Sequence, residues 1–320
     1  MNSIYFIIDD RYIIYNNILG KGISKIYLGK EIRTNKKVAI KEIFYNKSNM
    51  KLIENEIKVL QMVNHQNIVK LFDYYYYSQY AYLIFEYCEG GNLYNLKLNK
   101  RKECDIKVLY KQIAKGLLYL KENKIYHHDI KPHNILIKND IIKIADFGFA
   151  NNFNFICGSP IYMAPELFRL KKFSKKSDIW SLGIILYEMI HGKLPYKLKD
   201  CRNIKDITNT LQPQNLEFIN NISSDCRILL KKLLDVDYIK RADWGDILNN
   251  DWINNHMGPS HTEPSQMGPS HKDPNSTSPR LKDTSNPDTS HKDPNSTSPR
   301  LKDTSNPNTS NPNTSNPNTS

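Results

Sequence analysis

Residues 127–134 read His-His-Asp-Ile-Lys-Pro-His-Asn, and Ile135-Leu136-Ile137 follows directly. Seventeen residues past Asp129 stands Asp146-Phe147-Gly148. One carboxylate, a lysine two residues on, an amide at Asn134 and a second carboxylate form an oxygen-rich set around a short apolar stretch. Such a set can take a proton from a hydroxyl at Asp129 and hold a hard divalent cation at Asn134 and Asp146.

Working outward, the segment before residue 100 reads as strands at 12–19, 25–30, 37–43 and 80–87, broken by turn material at 20–22 and 33–36. Gly20-Lys21-Gly22 lies between two of these strands. Glycines there let backbone N–H groups approach a phosphate, although taken alone a plain glycine hairpin is the more common explanation. Val38-Ala39-Ile40-Lys41 puts a lone lysine on an apolar strand; taken singly, it reads as a solvent-facing edge residue. A helix follows, with Ile53, Ile57, Leu60 and Val63 at helical spacing. Glu56 shares that inward face and needs a cation, for which Lys41 is the natural partner. Such a pair would aim the Lys41 ammonium at nucleotide phosphates, and with Asp129, Asn134 and Asp146 it completes the needs of phosphoryl transfer: positioning and charge neutralisation. Beyond Asp105, read as an N-cap, the chain turns helical, with a stripe at Ile106, Leu109, Ile113, Leu117 and Leu120 and a long apolar helix over 176–191, stopped by Gly192 and Pro195. Strands first and helices after suggest an α+β fold with two lobes.

Val-Ala-Ile-Lys (38–41), His-x-Asp-x-Lys-Pro-x-Asn (127–134), Asp-Phe-Gly (146–148) and Ala164-Pro165-Glu166 stand in the order and spacing of the protein-kinase signature set, so residues 10–255 resemble that family. The resemblance implies a bilobal fold: a small antiparallel-sheet lobe with one helix and a larger helical lobe. It also implies ATP and Mg²⁺ as nucleotide and ion. Asp129 and Lys131 become the catalytic residues, and Asn134 and Asp146 the metal ligands. Leu19, Gly20, Lys21, Gly22, Ile23, Ser24, Lys25 and Ile26 become the phosphate-covering hairpin, and Lys41 with Glu56 the phosphate anchor. Ile26, Ala39 and Leu136 would sandwich the adenine. Glu86 and Cys88 would bind it through the backbone, after a gatekeeper at Phe85. Leu60, Leu71, His127 and Phe147 would stack as a spine, and Arg241 would pair with Glu166. Lys131 is similar to the Ser/Thr class. Residues 157–166, with Asp-Phe-Gly-Phe-Ala before them, resemble the Unc-51-like, autophagy-initiating kinases.

The chain departs from the family pattern in places. The glycine hairpin is one residue short of the third glycine, which loosens the expected lid. His128 replaces the arginine before the catalytic Asp, and residues 149–156, Phe-Ala-Asn-Asn-Phe-Asn-Phe-Ile, carry no hydroxyl to phosphorylate. Receptor and phosphosite are absent together, so the segment is expected to be held by packing of Phe149, Phe153 and Phe155, with activity independent of its phosphorylation. Asn92 stands where kinases that select arginine often carry an acid, which disfavours basic substrates. The rival to an active enzyme is a pseudokinase scaffold. Such proteins lose one of the positions that Lys41, Asp129, Asn134 and Asp146 fill here.

Bulk properties bound the rest. The 320 residues carry a formal net charge of +12, yet residues 257–320 hold six positive and six negative side chains, so the excess lies on 1–256. No lysine or arginine cluster alternates with aromatics, so specific nucleic-acid binding is not expected. Five scattered cysteines without a C-x-x-C pair fit a reducing compartment. No apolar run reaches membrane-span length and no signal-like leader opens the chain, so a cytoplasmic protein is expected, in host cytoplasm or virion if viral. After Ile253 the composition shifts: an 18-residue Ser/Pro/Asp repeat starts at Ser270 and again at Ser290, then Asn-Pro-Asn-Thr-Ser recurs. With one leucine per unit, such repeats cannot offset the entropy of ordering. The expected organisation is an extension at 1–10, a kinase domain at 11–253 and a disordered tail at 254–320, acting as a monomer on Ser/Thr hydroxyls of protein substrates.

Overall fold

A computed structural model describes residues 3–22, 24–96, 101–151, 159–171, 173–196, 216–219 and 222–255; the repeats and residues 153–155 lie outside them. All described residues fall in one compact unit, Met1–His261. Six strands form one antiparallel sheet: β1 (Ile4–Ile8), β2 (Tyr12–Lys21), β3 (Lys25–Glu31), β4 (Lys37–Phe44), β5 (Leu71–Tyr77) and β6 (Tyr80–Glu86), in the order β1-β2-β3-β4-β6-β5. β4 lies between β3 and β6, so Lys41 is not on an edge, unlike the reading of that lysine taken alone. Side chains alternate across the sheet. Val38 and Ile40 enter a cluster with Ile8, Tyr12, Ile14, Tyr27, Tyr82 and Ile84, while Ala39, Lys41 and Ile43 face the other way.

β1 corrects the expected extension. Residues 4–8 pair with β2 through a turn in which Asp9 and Asp10 take φ of 50° and 46° and Arg11 N donates to Ile8 O. Two successive left-handed residues match the twist of a hairpin. Ile8 is buried, and Phe6 packs 5.4 Å from the Tyr77 ring and 6.1 Å from Tyr82. β5 was also not anticipated.

The helix α1 (Met50–Met62) turns Ile53, Glu56, Ile57, Val59 and Leu60 inward. Past the sheet come α2 (Glu103–Glu122), a two-stranded hairpin of β7 (Ile135–Lys138) and β8 (Ile141–Ile144), then α3 (Pro165–Leu170), α4 (Ser177–His191), α5 (Ser224–Leu233), α6 (Trp244–Leu248) and α7 (Asp251–Asn254). α2 starts two residues before Asp105, which lies in the first turn instead of capping it. Glu103, its first residue, accepts from Ser223 N and Trp252 Nε1. α4 is almost wholly buried and ends as expected at Gly192, at φ 66° with its N–H on Glu188 O. α4 and α5 approach so closely that a Cβ on Gly183 would lie 2.9 Å from Leu233 Cβ. The sheet lobe and helical lobe expected from the resemblance are both present. Among the described residues no helix is long and apolar enough to cross a membrane.

Candidate active site

The sheet, α1 and the end of β8 converge on Lys41. Its Nζ lies 2.8 and 2.9 Å from the Glu56 oxygens and 2.9 Å from Asp146 Oδ1. Burial lowers the Lys41 pKa, but the carboxylates of Glu56 and Asp146 overcome it and raise the pKa above the ordinary lysine value. Lys41 in turn holds the Asp146 carboxyl below its usual range, while burial pushes the Glu56 carboxyl up.

The loop before β7 is fixed from below. Asp178, in the first turn of α4, accepts from the backbone N–H of His127 at 2.7 Å and of His128 at 2.8 Å. These bonds support His128 at φ 66°, a left-handed backbone that costs a non-glycine residue roughly 1–3 kcal/mol. Asp129 is buried, yet its oxygens are engaged: Oδ2 accepts from Lys131 Nζ at 2.7 Å and Asn134 Nδ2 at 2.9 Å, and Oδ1 from Ser159 N at 3.3 Å. Asn134 also donates to Asp129 O, so its amide oxygen turns away from Asp129, and its backbone O accepts from Ala145 N at 2.9 Å. That bond ties the Asp129 loop to Asp146, at φ 70°. His127 reaches Ala145 O at 3.1 Å and packs 4.8 Å from the Phe147 ring; Leu60 and Phe147 share the main core, with Leu71 against it.

Above these groups lies a cavity of about 420 Å³. Of the residues singled out in the sequence, Leu19, Gly20, Ser24, Ile26, Ala39, Lys41, Glu56, Phe85, Glu86, Cys88, Leu136, Asn134 and Asp146 line it. Lys21, Gly22 and Lys25 are in the hairpin but do not line it, and Ile23 lies outside the described residues. Asp129 and Lys131 are beside the cavity and bonded to Asn134 or to each other. Val69, Asn95 and His133 also line it. None was singled out: Val69 belongs to no motif, and His133 fills the variable position of one. Burial raises the Cys88 thiol to about 12, so it stays protonated at neutral pH.

The oxygen donors of Asn134 and Asp146 would suit a magnesium ion. Among the described residues no three His, Cys, Asp or Glu side chains cluster as an all-protein metal cage. One carboxylate and one amide oxygen suit Mg²⁺, which keeps waters and binds with the help of phosphate oxygens.

A lysine-centred triad of Lys41, Glu56 and Asp146 stands beside the Asp129 loop in a cleft lined from the sheet and from β7. Residues 14–253 match the family described as "Protein kinase domain", and the chain belongs to it. Over 271 residues it is 38% identical to serine/threonine-protein kinase atg1 of Dictyostelium discoideum, covering 78% of this chain and 40% of that protein. It is 33% identical over 269 residues to serine/threonine-protein kinase ATG1b of Arabidopsis thaliana, covering 78% of this chain and 38% of the relative. A putative serine/threonine-protein kinase of Acanthamoeba polyphaga mimivirus, R517/R518, is 34% identical over 291 residues, covering 77% and 64%. The chain thus spans about two-fifths of the two Atg1 relatives.

Proposed function

We propose that this chain is an ATP-dependent protein kinase that transfers the γ-phosphate to serine and threonine hydroxyls of protein substrates. The observation that carries the reading is the joining of Lys41, Glu56 and Asp146 within one bonded unit, next to Asp129 and Asn134. In this reading Asp129 orients the acceptor hydroxyl and takes its proton, and Lys131 holds Asp129 in place while adding positive charge near the transferred group. Lys41 binds the α- and β-phosphates, with Glu56 fixing its ammonium. Asn134 and Asp146 would hold Mg²⁺, which supplies charge neutralisation on the phosphates when bound. Ile26, Ala39 and Leu136 would enclose the adenine. We place the catalytic unit at 11–253, extended to take in β1, in a cytoplasmic protein that works as a monomer.

The proposed independence from loop phosphorylation draws support from what surrounds His128. Its ring stacks on Phe173 at 3.9 Å and 4°, with Tyr126 on a parallel plane at 6.3 Å. An aromatic stack occupies the place of a cation that would need a phosphate. Asn55 Nδ2 donates to Ala150 O at 2.8 Å, and Asn151 exchanges bonds with Tyr126, so the segment after Asp146 is tied to both lobes. Phe149 is half-buried, while Phe153 and Phe155 lie outside the described residues. A degenerate peptide library offered to unphosphorylated protein tests the function: phosphate on Ser and Thr is expected, and phosphate on Tyr alone, or none, would refute it.

A further inference from the structure

Glu86 closes β6 and is only 6% exposed, yet its side chain has no role in the chemistry above. Its N–H donates to Lys70 O at 3.0 Å. In a regular antiparallel pair Lys70 N would donate back to Glu86 O. Here Lys70 N donates to the side-chain Oε1 of Glu86 instead, at 2.9 Å. The carboxylate takes over the ladder position, and the Glu86 carbonyl, in a residue that lines the cavity, has Cys88 Sγ 4.0 Å away.

The same carboxylate reaches across to the helical lobe. Oε2 accepts from Lys138 Nζ at 2.9 Å, and Oε1 lies 2.9 Å from Lys143 Nζ. Lys138 ends β7, and Lys143 on β8 is the direct cross-strand partner of Leu136, the floor of the cavity. Two backbone bonds run beside this bridge, Gly90 N to Ile137 O and Ile137 N to Gly91 O. Burial works against the charge on Glu86, but Lys138, Lys143 and the Lys70 amide together hold its carboxyl below the usual range. It therefore stays ionised across neutral pH.

We propose that the Glu86 side chain is a positioning residue for purine recognition: it substitutes for its own carbonyl in the ladder, freeing that carbonyl to accept from a 6-amino group, and through Lys143 sets the height of Leu136 beneath the base. The proposal rests on the kinase reading, and the ligand class it selects is an adenine nucleotide over a guanine nucleotide, whose 6-oxo group offers no donor.

The test uses the full chain and its Glu86→Gln variant, titrated calorimetrically with ADP–Mg²⁺ and with GDP–Mg²⁺, alongside ATP kinetics. The amide retains the shape but loses the two charged contacts, so the ADP dissociation constant should rise by about tenfold. GDP binding should change less, narrowing the ADP preference, and the KM for ATP should rise more than kcat falls. A role in stability alone would lower the melting temperature without moving the ADP-to-GDP ratio. Lys143→Met provides the same comparison should Glu86→Gln fail to fold. A folded variant with wild-type ADP affinity and wild-type preference overturns the inference and leaves the kinase reading standing. A wild-type chain that binds neither nucleotide overturns both.

Discussion

Replacing Arg241 by methionine should weaken the helical lobe more than any surface change. Arg241 is fully buried; it meets Glu166 through two bonds of 2.8 and 2.7 Å and donates to Asp235 O and Lys176 O. Its guanidinium also lies 5.0 Å from the Trp180 ring. The substitution strands a buried carboxylate that keeps only uncharged partners, the hydroxyls of Ser174 and Ser177 and its own backbone N–H. Breaking one side of such a pair costs about 3–5 kcal/mol. For a unit of this size that is a loss of roughly 6–20 °C in melting temperature. The double variant Glu166→Gln, Arg241→Met should recover part of the loss, since no unpaired charge remains, and a double-mutant cycle should give a coupling of about 2 kcal/mol or more. The pH dependence has a defined sign. Burial opposes the Glu166 charge, but Arg241 and Ser174 pull its pKa below the ordinary value, so the native state binds that proton less readily than the unfolded one. The stabilisation is complete above the unfolded glutamate pKa of about 4.3 and drains away as pH falls below it. Urea melts of the four proteins between neutral pH and mild acid measure both effects. A single-variant cost under about 1 kcal/mol, the level of an exposed pair, would refute the argument.

Other outcomes follow from the same geometry. Lys41→Met leaves Glu56 and Asp146 facing each other without a cation and should lower phosphate transfer by about 10²-fold or more, read by initial rates at saturating ATP. Gly90→Ala places a Cβ 2.9 Å from Ile137 O and Cβ, forcing the backbone at Gly90 away from β7; a loss of about 1–3 kcal/mol in urea melts is expected. Phosphatase treatment should leave initial rates unchanged, and loss of activity traced to residues 146–166 would show that the segment needs a phosphate.

The parts of the site that were legible in the sequence are those where chemistry dictates residue type at fixed spacing. Asp129, Asn134 and Asp146 fall within about twenty residues of one another, and the 3.6-residue period put Glu56 on the inward face of α1, where it indeed meets Lys41. What escaped depended on contacts distant in sequence or on unusual turns. β1 leads into an Asp9-Asp10 turn, which lacks the Asn-Gly or Asp-Gly signature of a tight hairpin. β5 carries Tyr74-Tyr75-Tyr76-Tyr77, four like residues with no alternation to read. The first residue of α2, Glu103, is held by Ser223 and Trp252, more than a hundred positions away. His128 was visible as a departure, but its stacking partner Phe173 belongs to no motif.

The most direct measurement is transfer of labelled γ-phosphate from ATP to a generic protein acceptor, by the wild-type chain and Asp129→Ala side by side. The account predicts label on serine and threonine with the wild type and a rate about 10²–10⁴-fold lower with Asp129→Ala, as expected when the proton acceptor is removed. Equal transfer by both proteins, or none by the folded wild type in the presence of Mg²⁺, would contradict it.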